Sequence, residues 1–185
     1  KAFPTYESGD GKSMKILWDA VAGAITYEIE ADGQVVPDIM GTSYVFEGLN
    51  PDTAYTYRVR ARNIEGSGYW SDPITKKTLI ETPSGIASEI ADRSVSLTWL
   101  PVNKAAGYEI EIDGWDLVYT TEVTFVDEGL LPNSEHSYRI RAKNDDNISE
   151  WSEKVTRLTL PDTPKILFPS STSYTVAIFW DKVDG

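Results

Sequence analysis

Few side chains in this 185-residue sequence are of a type that performs chemistry. His136 is the single histidine and cysteine is absent, so a Cys-His set is excluded and no Ser-His-Asp catalytic set is expected. Disulfides, thiol catalysis and Cys-ligated zinc are likewise excluded. His136 by itself could serve as a pH switch or a metal ligand; the structural role of a buried ring fits it better. Carboxylates number 29, but glycoside cleavage by paired acids needs a cleft, and a small sandwich lacks one. Asp145-Asp146-Asn147 suggests calcium, yet a hard cation takes six or more oxygens from several segments, so this is read as a polar loop. Asn147-Ile148-Ser149 fits the glycosylation sequon. No Gly-rich phosphate loop leads from a strand into a helix. Trp115, in the turn sequence Asp113-Gly114-Trp115-Asp116, is the one candidate binding residue, because sugars stack on exposed indoles. The competing expectation is that it covers the neighbouring strand or the domain joint. The chain is therefore expected to be non-enzymatic and to need no cofactor.

The elements that position these residues come from a repeat. Trp18, Trp99 and Trp180 stand 81 residues apart. The same interval relates Tyr27 to Tyr108, Asp32-Gly33 to Asp113-Gly114, Pro51 to Pro132, Tyr57 to Tyr138, and Trp70 to Trp151. A fixed period without net insertion is one folding unit repeated. The expected domains are 1–81, 82–161, and a truncated start of a third unit at 162–185, comprising its first two strands. The sequence begins at Lys1 with neither an initiator Met nor a signal-peptide pattern, and reads as a piece of something longer.

Each copy reads as strands. Met14, Ile16 and Trp18 alternate with polar neighbours, as do Val95, Leu97, Trp99 and Val176, Ile178, Trp180. Tyr27 and Ile29 alternate with Glu28 and Glu30 before Asp32-Gly33, a hairpin signal. Tyr44–Phe46 gives a further short strand. Pro51-Asp52 makes a turn, and Tyr55, Tyr57, Val59 and Ala61 then alternate with Thr56, Arg58 and Arg60. A last strand lies near Ile74–Leu79. No stretch carries a 3.6-residue period with caps. Short strands with turns every 8–12 residues predict an all-β chain of tandem immunoglobulin-like antiparallel sandwiches, about seven strands each. Proline in the joints at Glu81-Thr82-Pro83 and Pro161-Asp162-Thr163-Pro164 leaves them little slack.

Both copies resemble fibronectin type III domains. The resemblance is carried by Trp18 and Trp99, by Tyr27 and Tyr108, and by Leu49-x-Pro51-x-Thr53-x-Tyr55 running into Tyr57-x-Val59-x-Ala61. The run Trp18-Asp19-Ala20-Val21-Ala22-Gly23-Ala24, echoed by Trp180-Asp181-Lys182-Val183-Asp184-Gly185, is similar to the bacterial secreted version of the family. It covers essentially the whole chain and implies fold far more than function. It also marks a departure: where the first copy has Tyr55 as the corner tyrosine, the second has His136, which predicts a weaker or rearranged corner.

Two sets of residues follow. The expected core is Trp18, Tyr27, Tyr55, Tyr57, Trp99, Tyr108, His136 and Tyr138. A surface ladder is expected from Glu28 and Glu30 facing Arg58 and Arg60 across neighbouring strands, with Trp70 stacked on the guanidinium groups. It returns as Glu109, Glu111, Arg139, Arg141 and Trp151. Trp and Arg also dominate binding hot spots, but an arginine already held by carboxylate and indole has few donors left for a partner.

Net charge is −12, spread over both copies without a basic stripe, which disfavours nucleic acid and anionic membrane as partners. No apolar run approaches 18 residues, so no membrane insertion is expected. The expected role is that of spacer or scaffold modules linking other modules of a secreted or cell-surface, multimodular protein, located extracellularly. The family resemblance implies carbohydrate-active enzymes or surface proteins as parents. The alternative is an adhesion module taking a glycan or protein ligand through loops around Gly66-Ser67-Gly68 and Trp115; no Arg-Gly-Asp tripeptide supports integrin-type adhesion. Self-association through 162–185 is a further expectation, because an apolar strand with open edges seeks another surface.

Overall fold

The computed structural model describes residues 4–171 and 176–182. Val183, Asp184 and Gly185, which figure in the sequence reading of the third copy, lie outside them. Among the described residues every regular element is a strand. In the first repeat these are β1 (Pro4–Gly9), β2 (Ser13–Trp18), β3 (Thr26–Ala31), β4 (Gln34–Ile39), β5 (Ser43–Glu47), β6 (Ala54–Asn63), β7 (Gly66–Ser67) and β8 (Ile74–Lys77). They form two sheets, β1-β2-β5 and β4-β3-β6-β7, with β8 also paired to β6. The second repeat follows the same plan with β9 (Ala87–Ile90), β10 (Ser94–Thr98), β11 (Gly107–Ile112), β12 (Asp116–Thr120), β13 (Thr124–Glu128), β14 (Glu135–Lys143) and β15 (Val155–Leu158). Its sheets are β13-β10-β9 and β12-β11-β14-β15. A hairpin of β16 (Ile166–Ser171) and β17 (Val176–Trp180) ends the described chain.

By proximity the chain groups into two compact units. One comprises Lys1–Thr82 with Val102–Ala106 and Arg141–Trp151; the other comprises Pro83–Pro101, Gly107–Ile140 and Ser152–Gly185.

Period-2 alternation is what makes a sandwich close. Along β2, Met14, Ile16 and Trp18 are buried while Ser13, Lys15 and Leu17 are only partly covered. Met14, Ile16, Trp18, Tyr27, Ile29, Tyr57 and Val59 make one buried cluster. The Trp18 and Tyr27 rings meet at 5.5 Å between centroids, and Trp99 and Tyr108 repeat this at 5.3 Å. Among the described residues neither indole N–H of Trp18 or Trp99 has an acceptor.

The two repeats absorb one residue differently. Tyr27 pairs with Ile39 and Tyr108 with Thr120, the same register 81 residues apart. In the first repeat the turn holds only Asp32-Gly33, both at positive φ, and the surplus residue becomes a bulge in β4 around Pro37 and Asp38, the latter at φ 58°. In the second, β12 pairs without interruption and the surplus sits in the turn, as Trp115. Proline explains the difference: lacking an N–H, Pro37 cannot continue a regular ladder.

Candidate functional site

The outer face of the larger sheets gathers most of the polar residues singled out in the sequence. On β3 and β6, Glu28 stands opposite Arg60 and Glu30 opposite Arg58. Arg58 Nε donates to Glu30 and Arg60 Nε to Glu28. The ring of Trp70 lies 4.3 Å from the Arg60 guanidinium and 5.0 Å from that of Arg58. Arg62, beside Thr26, extends the row to Asp38 at 3.4 Å. The second repeat carries the same parts: Arg139 Nη2 donates to Glu111 at 2.6 Å, and the Arg141 guanidinium lies 4.3 Å over the Trp151 ring. One expectation changes. Glu28 and Glu109 are on this face yet buried, at 6% and 8% exposure. For Glu28 the cause is visible, since Arg60, Arg62 and the Ser67 hydroxyl all close on its carboxylate.

Trp18, Tyr27, Tyr57, Trp99, Tyr108 and Tyr138 are buried, whereas Tyr55 and His136 are half-buried. The Tyr27 hydroxyl accepts from Val21 N at 2.8 Å. Tyr57 donates to Met14 Sδ at 3.1 Å, and burial raises its pKa above the usual phenol range. Tyr138 donates to Asp127 at 2.9 Å; burial and that carboxylate push it up as well.

The corner differs between repeats. Tyr55 Oη accepts from Asn50 N at 2.9 Å, five residues back. His136 instead places Nε2 at 2.8 Å from Ser134 Oγ and Nδ1 at 2.9 Å from Asp113 Oδ2. Ser134, His136 and Asp113 thus form a hydrogen-bonded Ser-His-Asp row that the sequence reading did not expect; the Ser134 hydroxyl also donates to Leu131 O, and the rearranged corner ties β14 to the β11–β12 turn. Burial opposes ionisation of Asp113, but the Ser137 N–H at 2.7 Å and His136 outweigh it and hold its pKa below the ordinary value.

Two hydroxyls that the sequence reading passed over are repeated keys. Thr78 Oγ1 donates to Asn50 O at 2.7 Å and accepts from Thr53 N at 3.0 Å. Thr159 does the same with Leu131 O at 2.7 Å and Ser134 N at 2.8 Å. Ser71 and Ser152 Oγ accept from Val59 N and Ile140 N at 3.1 and 2.9 Å. Within the first compact unit Asp52 is a further node, with Lys77 Nζ at 2.6 Å, Lys104 Nζ at 3.3 Å and Asn147 Nδ2 at 3.3 Å. Burial works against its charge, yet these donors prevail and lower its pKa to about 2.

Surfaces open to a ligand are modest. A shallow groove of about 300 Å³ runs between Val21–Ala24 and the loop Asn63–Gly68. Trp115 is 90% exposed. Among the described residues no cluster of three or more His, Asp or Glu side chains is placed to hold a metal ion, and no helix is long and apolar enough to cross a membrane. On β17 Val176, Ile178 and Trp180 are exposed.

Residues 5–77 match the family model for the fibronectin type III domain. The chain is 34% identical to Endoglucanase B of Cellulomonas fimi over 149 residues, covering 70% of this chain and 14% of that protein. It is 29% identical to Exoglucanase B of the same organism over 163 residues, covering 78% and 15%. Against the Netrin receptor DCC of Mus musculus it is 34% identical over 103 residues, covering 53% and 7%. The chain therefore spans about a seventh or less of these relatives.

Proposed function

Because the chain is a tandem of fibronectin type III domains similar to those of bacterial multimodular proteins, we propose that it serves as a non-catalytic spacer and scaffold. In this role it links other modules of one secreted or cell-surface polypeptide. The observation that carries the proposal is the disposition of the aromatic and basic side chains. Trp18 and Trp99 are inside the sandwiches, and Trp70 and Trp151 are stacked on arginines, with carboxylates on Arg58, Arg60 and Arg139. Residue types that would make a hot spot are engaged within the fold. The matches in two Cellulomonas fimi glucanases, each covering about a seventh of a much longer protein, fit a connecting part.

The test is a glycan and matrix-protein screen on the chain, with soluble β-glucans among the glycans, accompanied by an assay for their hydrolysis. Neither saturable glycan binding, nor protein binding that depends on Trp115, nor turnover is expected. A second reading, adhesion through loop residues, has one observation in its favour, the exposure of Trp115. Saturable binding that disappears in Trp115→Ala would replace the spacer reading with this one.

A further inference from the structure

The two repeats treat the edge of their larger sheet in opposite ways. Edge strands invite another strand, and proteins blunt them with proline, bulges and inward twists. In the first repeat β4 is blunted by Pro37 and by a bulge at Asp38. In the second, β12 has neither proline nor bulge: Asp116–Thr120 pairs residue for residue with β11, which is its one neighbour in the sheet order among the described residues. The residue that would have made the bulge has moved out of the strand into the turn, as Trp115.

The side chains along this edge favour a guest. Leu117 and Tyr119 fall on one face, about 7 Å apart by strand geometry, and are 56% and 54% exposed. They sit across from Glu111 and Glu109, so they form the apolar margin of the glutamate–arginine face. Gly107 makes room for the tyrosine, since a Cβ there would overlap the phenol. Charge selects among guests. From residue 105 to 138 the sequence has no lysine or arginine and eight carboxylates, of which Asp113, Asp116 and Glu122 are exposed beside the edge. A second copy of β12 would bring acid against acid.

We propose that β12 is a docking edge for an extended basic polypeptide segment, which adds to the sheet as a further strand. Main-chain hydrogen bonds to the outer side of β12 would supply affinity. Alternate apolar side chains of the guest would lie on Leu117 and Tyr119, and flanking Lys or Arg would reach Asp116 and Glu122. This goes beyond the spacer role and fails separately from it: binding lost on Trp115→Ala alone reports the loop, whereas binding lost when the guest cannot form a strand reports the edge.

The experiment titrates the isotopically labelled full chain with the capped peptide Lys-Val-Thr-Val-Lys while backbone amide resonances are followed. Saturable shifts confined to residues 115–122 are expected. They should be absent with Pro at the central position and at least tenfold weaker with Glu in place of both Lys. Raising salt from about 0.05 to about 0.5 M should weaken binding by screening the charges. Asp116→Lys with Glu122→Lys, exposed positions whose change leaves amides elsewhere unmoved, should reverse the preference to the Glu peptide. No saturation, equal binding of the Pro peptide, or shifts centred elsewhere would overturn the proposal. So would β12 shifts that grow with protein concentration alone, which would give the edge to a second copy.

Discussion

Tyr55 and His136 occupy the same place in two copies of one fold and solve it differently. The tyrosine reaches back to Asn50 N; the imidazole reaches sideways to Asp113 and Ser134. Tyr55→Phe keeps the ring and loses one exposed hydrogen bond, so a loss of no more than about 1 kcal/mol is expected in denaturant unfolding. Asp52 carries a clear electrostatic signature. Its pKa is depressed to about 2 by Lys77, Asn147 and Lys104 despite burial. A group lowered on folding stabilises when ionised in both states, so its contribution is complete above about pH 4 and disappears as pH falls to about 2. The shift corresponds to about 2 kcal/mol. Asp52→Asn should lose that much at pH 7, and the gap between variant and native protein should close between about pH 4 and about 2 in urea melts. A constant gap across that window would show that Asp52 acts by packing.

At the scale of elements, turns and strand ends are closed by side-chain hydroxyls as well as by backbone. Thr78 and Thr159 are fully buried, at 0% and 1% exposure, and each bridges a carbonyl and an amide of the turn before β6 or β14. Thr78→Val preserves shape but strands both partners, which should cost about 1–3 kcal/mol; an unchanged melt would mean the turn closes without it. This element was hidden in the sequence for a physical reason. Trp18 and Tyr27 announce themselves by alternation and by an 81-residue interval, because buried apolar faces impose a period. Thr78 recurs at that interval too, but in a polar stretch where nothing marks a hydroxyl as buried. β1 and β4 were equally hard to read, since Thr5, Glu7 and Ser8 carry no clean alternation and Pro37 breaks that of β4. The pairing of Glu28 with Arg60 was legible from strand order. The burial of Glu28 was not, because it depends on Arg62 and Ser67 arriving from beyond the strand.

For the whole molecule, the tryptophans divide by task. Trp18 and Trp99 fill cores, Trp70 and Trp151 hold arginine rows, and Trp115 at a turn and Trp180 on β17 stand exposed. A cysteine-free scaffold is held by such packing alone, and small sandwiches have only about 5–15 kcal/mol to lose. Thermal unfolding of the full chain beside Trp18→Ala, Trp99→Ala and Trp115→Ala tests this division most directly. The two core variants should each lose about 3–5 kcal/mol, leaving the affected repeat barely folded. Trp115→Ala should stay within about 0.5 kcal/mol of the native protein. Core variants that melt like the native chain, or a Trp115→Ala variant that melts like them, would contradict the assignment.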